Sequence, residues 1–172
     1  MKLREIFMRA AKRRAHLTGN PTVAEEELEE ILMDQRLHEL IPHIKGISLH
    51  DWSKIIRLDN SLFTYIPNPS YDLSYMAVQH NGLLLEYIKD QSPELILAAV
   101  RQNGHALPFA SMQTELICSY AVNQAPRVLL QVLNQTELVC YLAAKKDPET
   151  ISMIRDPHLR RLIQRKIRKG KK

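Results

Sequence analysis

SPELILAAVRQNG, residues 92–104, restates SYDLSYMAVQHNG, residues 70–82. Both stretches carry Ser, an acid-Leu pair, Ala-Val and Asn-Gly, offset by 22 residues. Extending that offset through the chain places Ser48, Ser70, Ser92, Thr114 and Thr136 in one column. Each is a helix-capping residue, whose side-chain oxygen can accept an N–H left unpaired in the first turn. Each has a carboxylate within three residues (Asp51, Asp72, Glu94, Glu115, Glu137), which opposes the positive end of the helix dipole. Five hydroxyl caps in register predict five helix starts.

The other columns agree. Ile55, Ala77, Ala99, Ala121 and Ala143 align, followed by Ile56, Val78, Val100, Val122 and Ala144. Small residues let neighbouring helices approach, and aliphatic ones fill the space between them. Breaker pairs come next: Asp59-Asn60, Asn81-Gly82, Asn103-Gly104, Ala125-Pro126 and Asp147-Pro148. Gly and Asn tolerate left-handed backbone and end a helix, whereas Pro suits a helical first position. A shorter second helix is expected to follow, with Phe63, Leu85, Leu107, Leu129 and Ile151 inward, and Ile66, Ile88, Ala110, Val132 and Ile154 three positions later. The resulting expectation is an all-α chain, a short α-solenoid of about five 22-residue helical hairpins at 48–69, 70–91, 92–113, 114–135 and 136–157. None could bury its apolar face alone, but stacked neighbours can.

Residues 1–47 read as an N-terminal helical cap: a basic amphipathic helix, then an acidic helix opened by a Thr22/Glu25 capping box and stopped at Pro42. Residues 158–172 form a basic C-terminal helix and tail, with PHLRRLIQRKI at 157–167 as the last helix, packing through Leu159, Leu162 and Ile163. The closing RKGKK is expected to lack fixed structure. Charge is segregated: residues 1–17 carry net +5 and 155–172 carry +8, leaving −8 for the body. Basic ends attract polyanions, whether nucleic acid, anionic lipid or an acidic protein face. No stretch approaches the ~18 apolar residues of a membrane span, and the charged N-terminus lacks a secretory apolar core. The expected compartment is cytoplasmic.

The Ala-Val-x-x-Asn-Gly segments at Ala77–Gly82 and Ala99–Gly104, with the Leu-x-Tyr of LLEYI, are similar to an uncharacterised helical repeat of bacterial proteins, a domain of unknown function. The resemblance is best over residues 70–110. It implies an α-helical array and, from the company the repeat keeps, a secreted effector or adaptor acting in the cytoplasm of the producing or a host cell. It transfers no activity and no catalytic residue.

Chemistry is sparse. Five scattered Gly form no phosphate loop, and the seven His show no metal-ligand spacing. No cofactor, metal site or catalytic constellation is expected, so the chain reads as a non-enzyme. Cys118 and Cys140 share a column and read as reduced, buried small hydrophobes. The aromatic column Tyr65, Tyr87, Phe109 reads as packing at the core or hairpin edge, and Trp52 as packed near the first cap. The candidate interaction surface is a polar ridge at the C-terminal ends of the first helices: Arg57, Gln79, Arg101, Gln102, Asn123, Lys145 and Lys146. The candidate polyanion-binding residues are Arg9, Lys12, Arg13 and Arg14 at one end, and Arg160, Arg161, Arg165, Lys166, Arg168 and Lys169 at the other. The expected function is a non-enzymatic protein–protein interaction scaffold. The alternative is a nucleic-acid binder that uses the basic termini and the ridge, with anionic lipid a further ligand for the termini.

Overall fold

The computed structural model describes residues 49–66 and 68–169. The N-terminal helices expected before the array, the Ser48 cap, and residues 170–172 lie outside the described residues. Among those described there are eleven helices and no strand. Six are α-helices: α1 Leu49–Leu58, α2 Tyr71–His80, α3 Pro93–Gln102, α4 Glu115–Gln124, α5 Glu137–Lys146 and α6 Pro157–Lys169. Five are 3-10 helices: η1 Asn60–Tyr65, η2 Gly82–Tyr87, η3 Gly104–Phe109, η4 Pro126–Gln131 and η5 Pro148–Met153. From α1 to α5 and from η1 to η5, every start recurs at the 22-residue spacing of the caps. The last helix continues through Lys169, so the expectation of an unstructured RKGKK fails for Arg168 and Lys169.

The caps act as the residue types require. Ser70, Ser92, Thr114 and Thr136 accept the N–H groups of Leu73, Leu95, Ile117 and Val139 at 3.2–3.4 Å. Glu94, in the first turn of α3, has its carboxyl held below the usual range by the backbone N–H and the Ser92 hydroxyl. The second helix of each repeat is 3-10 because its six residues leave little room for i→i+4 bonding. Its closing bonds run three residues back, from Ile66 to Phe63, Ile88 to Leu85 and Ala110 to Leu107.

The breaker pairs act differently from the expectation. Asn81 is not a left-handed terminator: its φ is −145°, extended, and its side chain caps η2 by accepting from the Leu83 N–H. Asp59, Asn103 and Asp147 do the same for η1, η3 and η5, whereas Ala125 leaves η4 without a side-chain cap. Gly82 likewise lies outside the left-handed region, and its requirement is space. A Cβ there would fall 2.3 Å from the Ala99 carbonyl oxygen and 3.0 Å from Gln102 Oε1. One at Gly104 would fall 2.6 Å from the Ala121 carbonyl oxygen.

The chain divides into two compact units, Met1–His80 and Asn81–Lys172. In the first, α1 packs on α2 and η1 around Ile55, Ile56, Leu62 and Phe63, and Trp52 is also buried. In the second, each α-helix packs on the next from α3 to α6, and each 3-10 helix on the next from η2 to η5, giving stacked helical repeats. The small-residue column is sealed, with Ala99, Ala121 and Ala143 at 0% exposure. Leu85, Leu107 and Leu129 fill the 3-10 side. Burying a side chain of this size contributes about 1.5–3 kcal/mol, and ordering each residue costs about 1–2 kcal/mol. A six-residue helix with two or three inward groups is therefore stable only against its neighbours. Tyr65 and Tyr87, expected to pack, are instead 45% and 51% exposed.

A device unforeseen in the sequence joins the second unit's repeats. Gln91, Gln113 and Gln135 immediately precede the caps. Gln91 Nε2 donates to the Leu85, Ile88 and Phe109 carbonyls at 2.9–3.1 Å, while its Oε1 accepts from the Ser111 N–H at 2.8 Å. Gln113 repeats this with the Gln131 carbonyl and Leu133 N–H, and Gln135 with the Met153 carbonyl and Arg155 N–H. Each amide thus clips its own loop to the corresponding loop of the following repeat. Arg155 closes the series by donating to the Leu130, Val132 and Leu133 carbonyls.

Candidate functional site

The ridge residues occupy the last turns of α1 to α5, where cations are favoured by the helix dipole and side chains leave the packed face. They separate into two columns with different duties. In the first unit Arg57 and Gln79 are exposed, and Arg57 Nε donates to His80 Nε2 at 3.3 Å. In the second, Arg101, Asn123 and Lys145 are exposed, and Arg101 also lies 5.0 Å above the Tyr120 ring. The adjacent column reaches sideways. Gln102 Oε1 accepts from the Gly82 N–H at 2.7 Å, Gln124 Nε2 donates to the Arg101 carbonyl at 3.2 Å, and Lys146 Nζ donates to the Asn123 carbonyl. Gln102 and Lys146 are thereby engaged in joining repeats, although both remain exposed. Arg101, Asn123 and Lys145 form the outward row, and the backbone carbonyls of Arg101 and Asn123 are held by the following repeat.

The basic helix divides similarly. Arg160 Nε donates to the Ile154 carbonyl at 2.9 Å, and Lys166 pairs with Glu137. Ile163 is fully buried and Leu159 and Ile167 half-buried, so this face seals the repeat beneath. Leu162, expected in the packing, is 39% exposed. Arg161, Arg165, Arg168 and Lys169 remain on the outer face, all exposed. Their i, i+3 and i, i+4 neighbours are like-charged, each such pair costing about 0.2–0.5 kcal/mol. Helix α6 contains six Lys/Arg and no Asp/Glu, so nothing on the helix itself relieves that repulsion. Arg9, Lys12, Arg13 and Arg14 lie outside the described residues.

Arg127 makes an ion pair that the residue pattern did not suggest, with Nε 3.3 Å from Asp147 Oδ2 and Nη2 2.5 Å from Glu149 Oε2. It ties η4 to η5 and leaves Arg127 off the ridge. Cys118 and Cys140 are buried, unpaired thiols. Burial pushes both upward, Cys140 to about 11, which suppresses the nucleophilic thiolate. Among the described residues no group of three His, Cys, Asp or Glu is placed to hold a metal ion. Nor is any helix among them long and apolar enough to cross a membrane.

The model of a family described as "Domain of unknown function (DUF4116)" matches residues 71–117, a little over two repeats. That segment contains both Asn-Gly pairs, the Gly82 contact with Ala99 and the Gln91 clip. No curated protein and no solved structure matches the chain.

Proposed function

We propose that the chain is a non-enzymatic protein–protein interaction module, a helical-repeat scaffold whose outward polar row engages a protein partner. The observation that carries this reading is the row Arg101, Asn123, Lys145: one donor-bearing side chain per repeat, exposed and at fixed register, with the Arg101 and Asn123 carbonyls held from the side. At the usual spacing of packed helices, about 8–10 Å, those three side chains extend along about 20 Å. A partner that recognises such a row needs acceptors at matching intervals. The held backbone lowers the ordering cost of binding.

The same proposal takes the chain to be a bacterial helical-repeat protein of the effector or adaptor kind, acting in the cytoplasm of the producing cell or of a host. Support comes from the match over residues 71–117 and from two unpaired, buried cysteines, which suit a reducing compartment. The test is affinity purification from the native host with the full chain, beside an Arg101→Glu/Lys145→Glu variant. The expected result is a stoichiometric partner retained by the wild type and lost by the variant. An identical retained set from both, with both folded, would refute the scaffold reading of the ridge.

A further inference from the structure

We propose that the outer face of α6 docks an acidic, leucine-bearing segment of a partner protein. This rests on the reading of the chain as an interaction module, but uses a surface separate from the ridge. Arg161, Arg165, Arg168 and Lys169 form a cationic strip about 12 Å long at 1.5 Å rise per residue. Two neighbouring cations are already engaged, Lys166 by Glu137 and Arg160 by the Ile154 carbonyl. The strip is the part of the helix left with charge to satisfy, and three of its four groups are guanidiniums, whose planar fork matches a carboxylate.

Leu162 decides between classes of anion. It is 39% exposed and shares a surface depression with His158, Leu159, Arg161 and Arg165. An apolar side chain seated there would have cations on two sides, as an acidic segment with an embedded leucine provides. Nucleic acid fits less well, because α6 has no Phe, Tyr or Trp on which a base could stack. Acidic groups also border the strip, with Glu115 and Glu137 lining the depression beside Lys166 and Asp156 lining that beside Arg161. A long phosphate backbone running beyond the strip would meet those carboxylates, whereas a short acidic segment matched to its length would not. A membrane fits less well because insertion uses an apolar helix face, and here Ile163 is already buried within the protein.

The test is fluorescence anisotropy on the full chain, using a short fluorescein-labelled poly-glutamate peptide with a central leucine pair. Comparators are the all-glutamate peptide, a thymidylate oligonucleotide of equal charge, and vesicles containing phosphatidylserine. The leucine-bearing peptide is expected to bind most tightly. Arg161→Glu/Arg165→Glu should weaken it at least about tenfold, and Leu162→Ser about threefold. The charge-conserving Arg161→Lys/Arg165→Lys variant should retain most of the binding, which separates lost charge from lost fold. Equal affinity of wild type and the charge-reversed variant, or tighter binding of the oligonucleotide or vesicles than of the peptide, overturns the inference. The Arg101→Glu/Lys145→Glu ridge variant should still bind the peptide, and loss of binding there overturns the separate site. Failure of the ridge variant to lose its cellular partner bears on the scaffold reading alone.

Discussion

Replacing Gly82 with alanine gives an outcome whose sign is diagnostic. Its backbone lies outside the left-handed region, so on conformational grounds alanine is allowed. By restricting the unfolded chain, that substitution would then stabilise by about 0.4–1 kcal/mol. The packing predicts the opposite. The new Cβ would lie 2.3 Å from the Ala99 carbonyl oxygen and 3.1 Å from its carbon, both backbone atoms of a sealed helix. That oxygen is held at 2.8 Å by the Asn103 N–H, so it cannot retreat without loosening the end of α3. The relief available is to separate η2 from α3, which also stretches the 2.7 Å bond from the Gly82 N–H to Gln102. Overpacking of this kind costs about 1–3 kcal/mol, and loss of the hydrogen bond about a further 1 kcal/mol. A loss of about 2–4 kcal/mol is expected overall, or about 4–16 °C in Tm at 2–4 °C per kcal/mol for a chain of this size. Urea denaturation followed by helical circular dichroism, with a thermal scan, reads both. An alanine variant as stable as the wild type, or more stable, would refute the close-approach explanation and return the glycine to a purely conformational role. Gly104→Ala, facing the Ala121 carbonyl at 2.6 Å, should fall on the same side with a smaller loss.

Three further outcomes follow from the structure. Gln91→Leu strands the Ser111 N–H and withdraws the donor shared by the Leu85, Ile88 and Phe109 carbonyls, so it should cost about 1–3 kcal/mol in urea denaturation. Gln164→Leu on the exposed flank of α6 should remain within about 0.5 kcal/mol. For Cys140, burial raises the folded thiol from its ordinary value of 9.0 to about 11. The unfolded state therefore releases its proton first, so the contribution of this group to stability should be constant below pH 9 and decline between 9 and 11. Cys140→Ala should lose part of that alkaline decline, and an unchanged pH–stability profile would contradict a buried thiol.

The legible and illegible parts of this chain differ for a physical reason. Ser92, Thr114 and Thr136 announce helix starts because capping is local, made between a side chain and an N–H three residues away. The recurrence of Ala99, Ala121 and Ala143, followed by Val100, Val122 and Ala144, similarly exposes the packed face, since the 22-residue period writes the same pair into each helix. Gln91, Gln113 and Gln135 stand in an equally regular column, yet a polar residue in a short connection reads as solvated. Its meaning appears only when the carbonyl 18 residues ahead and the N–H 20 residues ahead converge on it. Gly82 misleads in a related way: a glycine after asparagine suggests a left-handed turn, and the real constraint is an oxygen contributed by the next repeat. On the ridge, sequence located the right turn of each helix. It could not separate Arg101, Asn123 and Lys145, which face outward, from Gln102 and Lys146, which reach toward neighbours. In α6 the charges were evident, but the division between Arg160 and Lys166, engaged within the fold, and Arg161 and Arg165, left free of such contacts, depends on where the helix lies on α5.

The glutamine clips bear on inheritance. Because each amide reaches no further than its own loop and the next, an in-frame duplication or deletion of one whole repeat restores every clip, cap and carbonyl to an equivalent partner. Lengthening such a gene by copying asks for no compensating change inside the copied stretch, whereas an insertion or deletion of one codon misaligns the clip whose span it falls in.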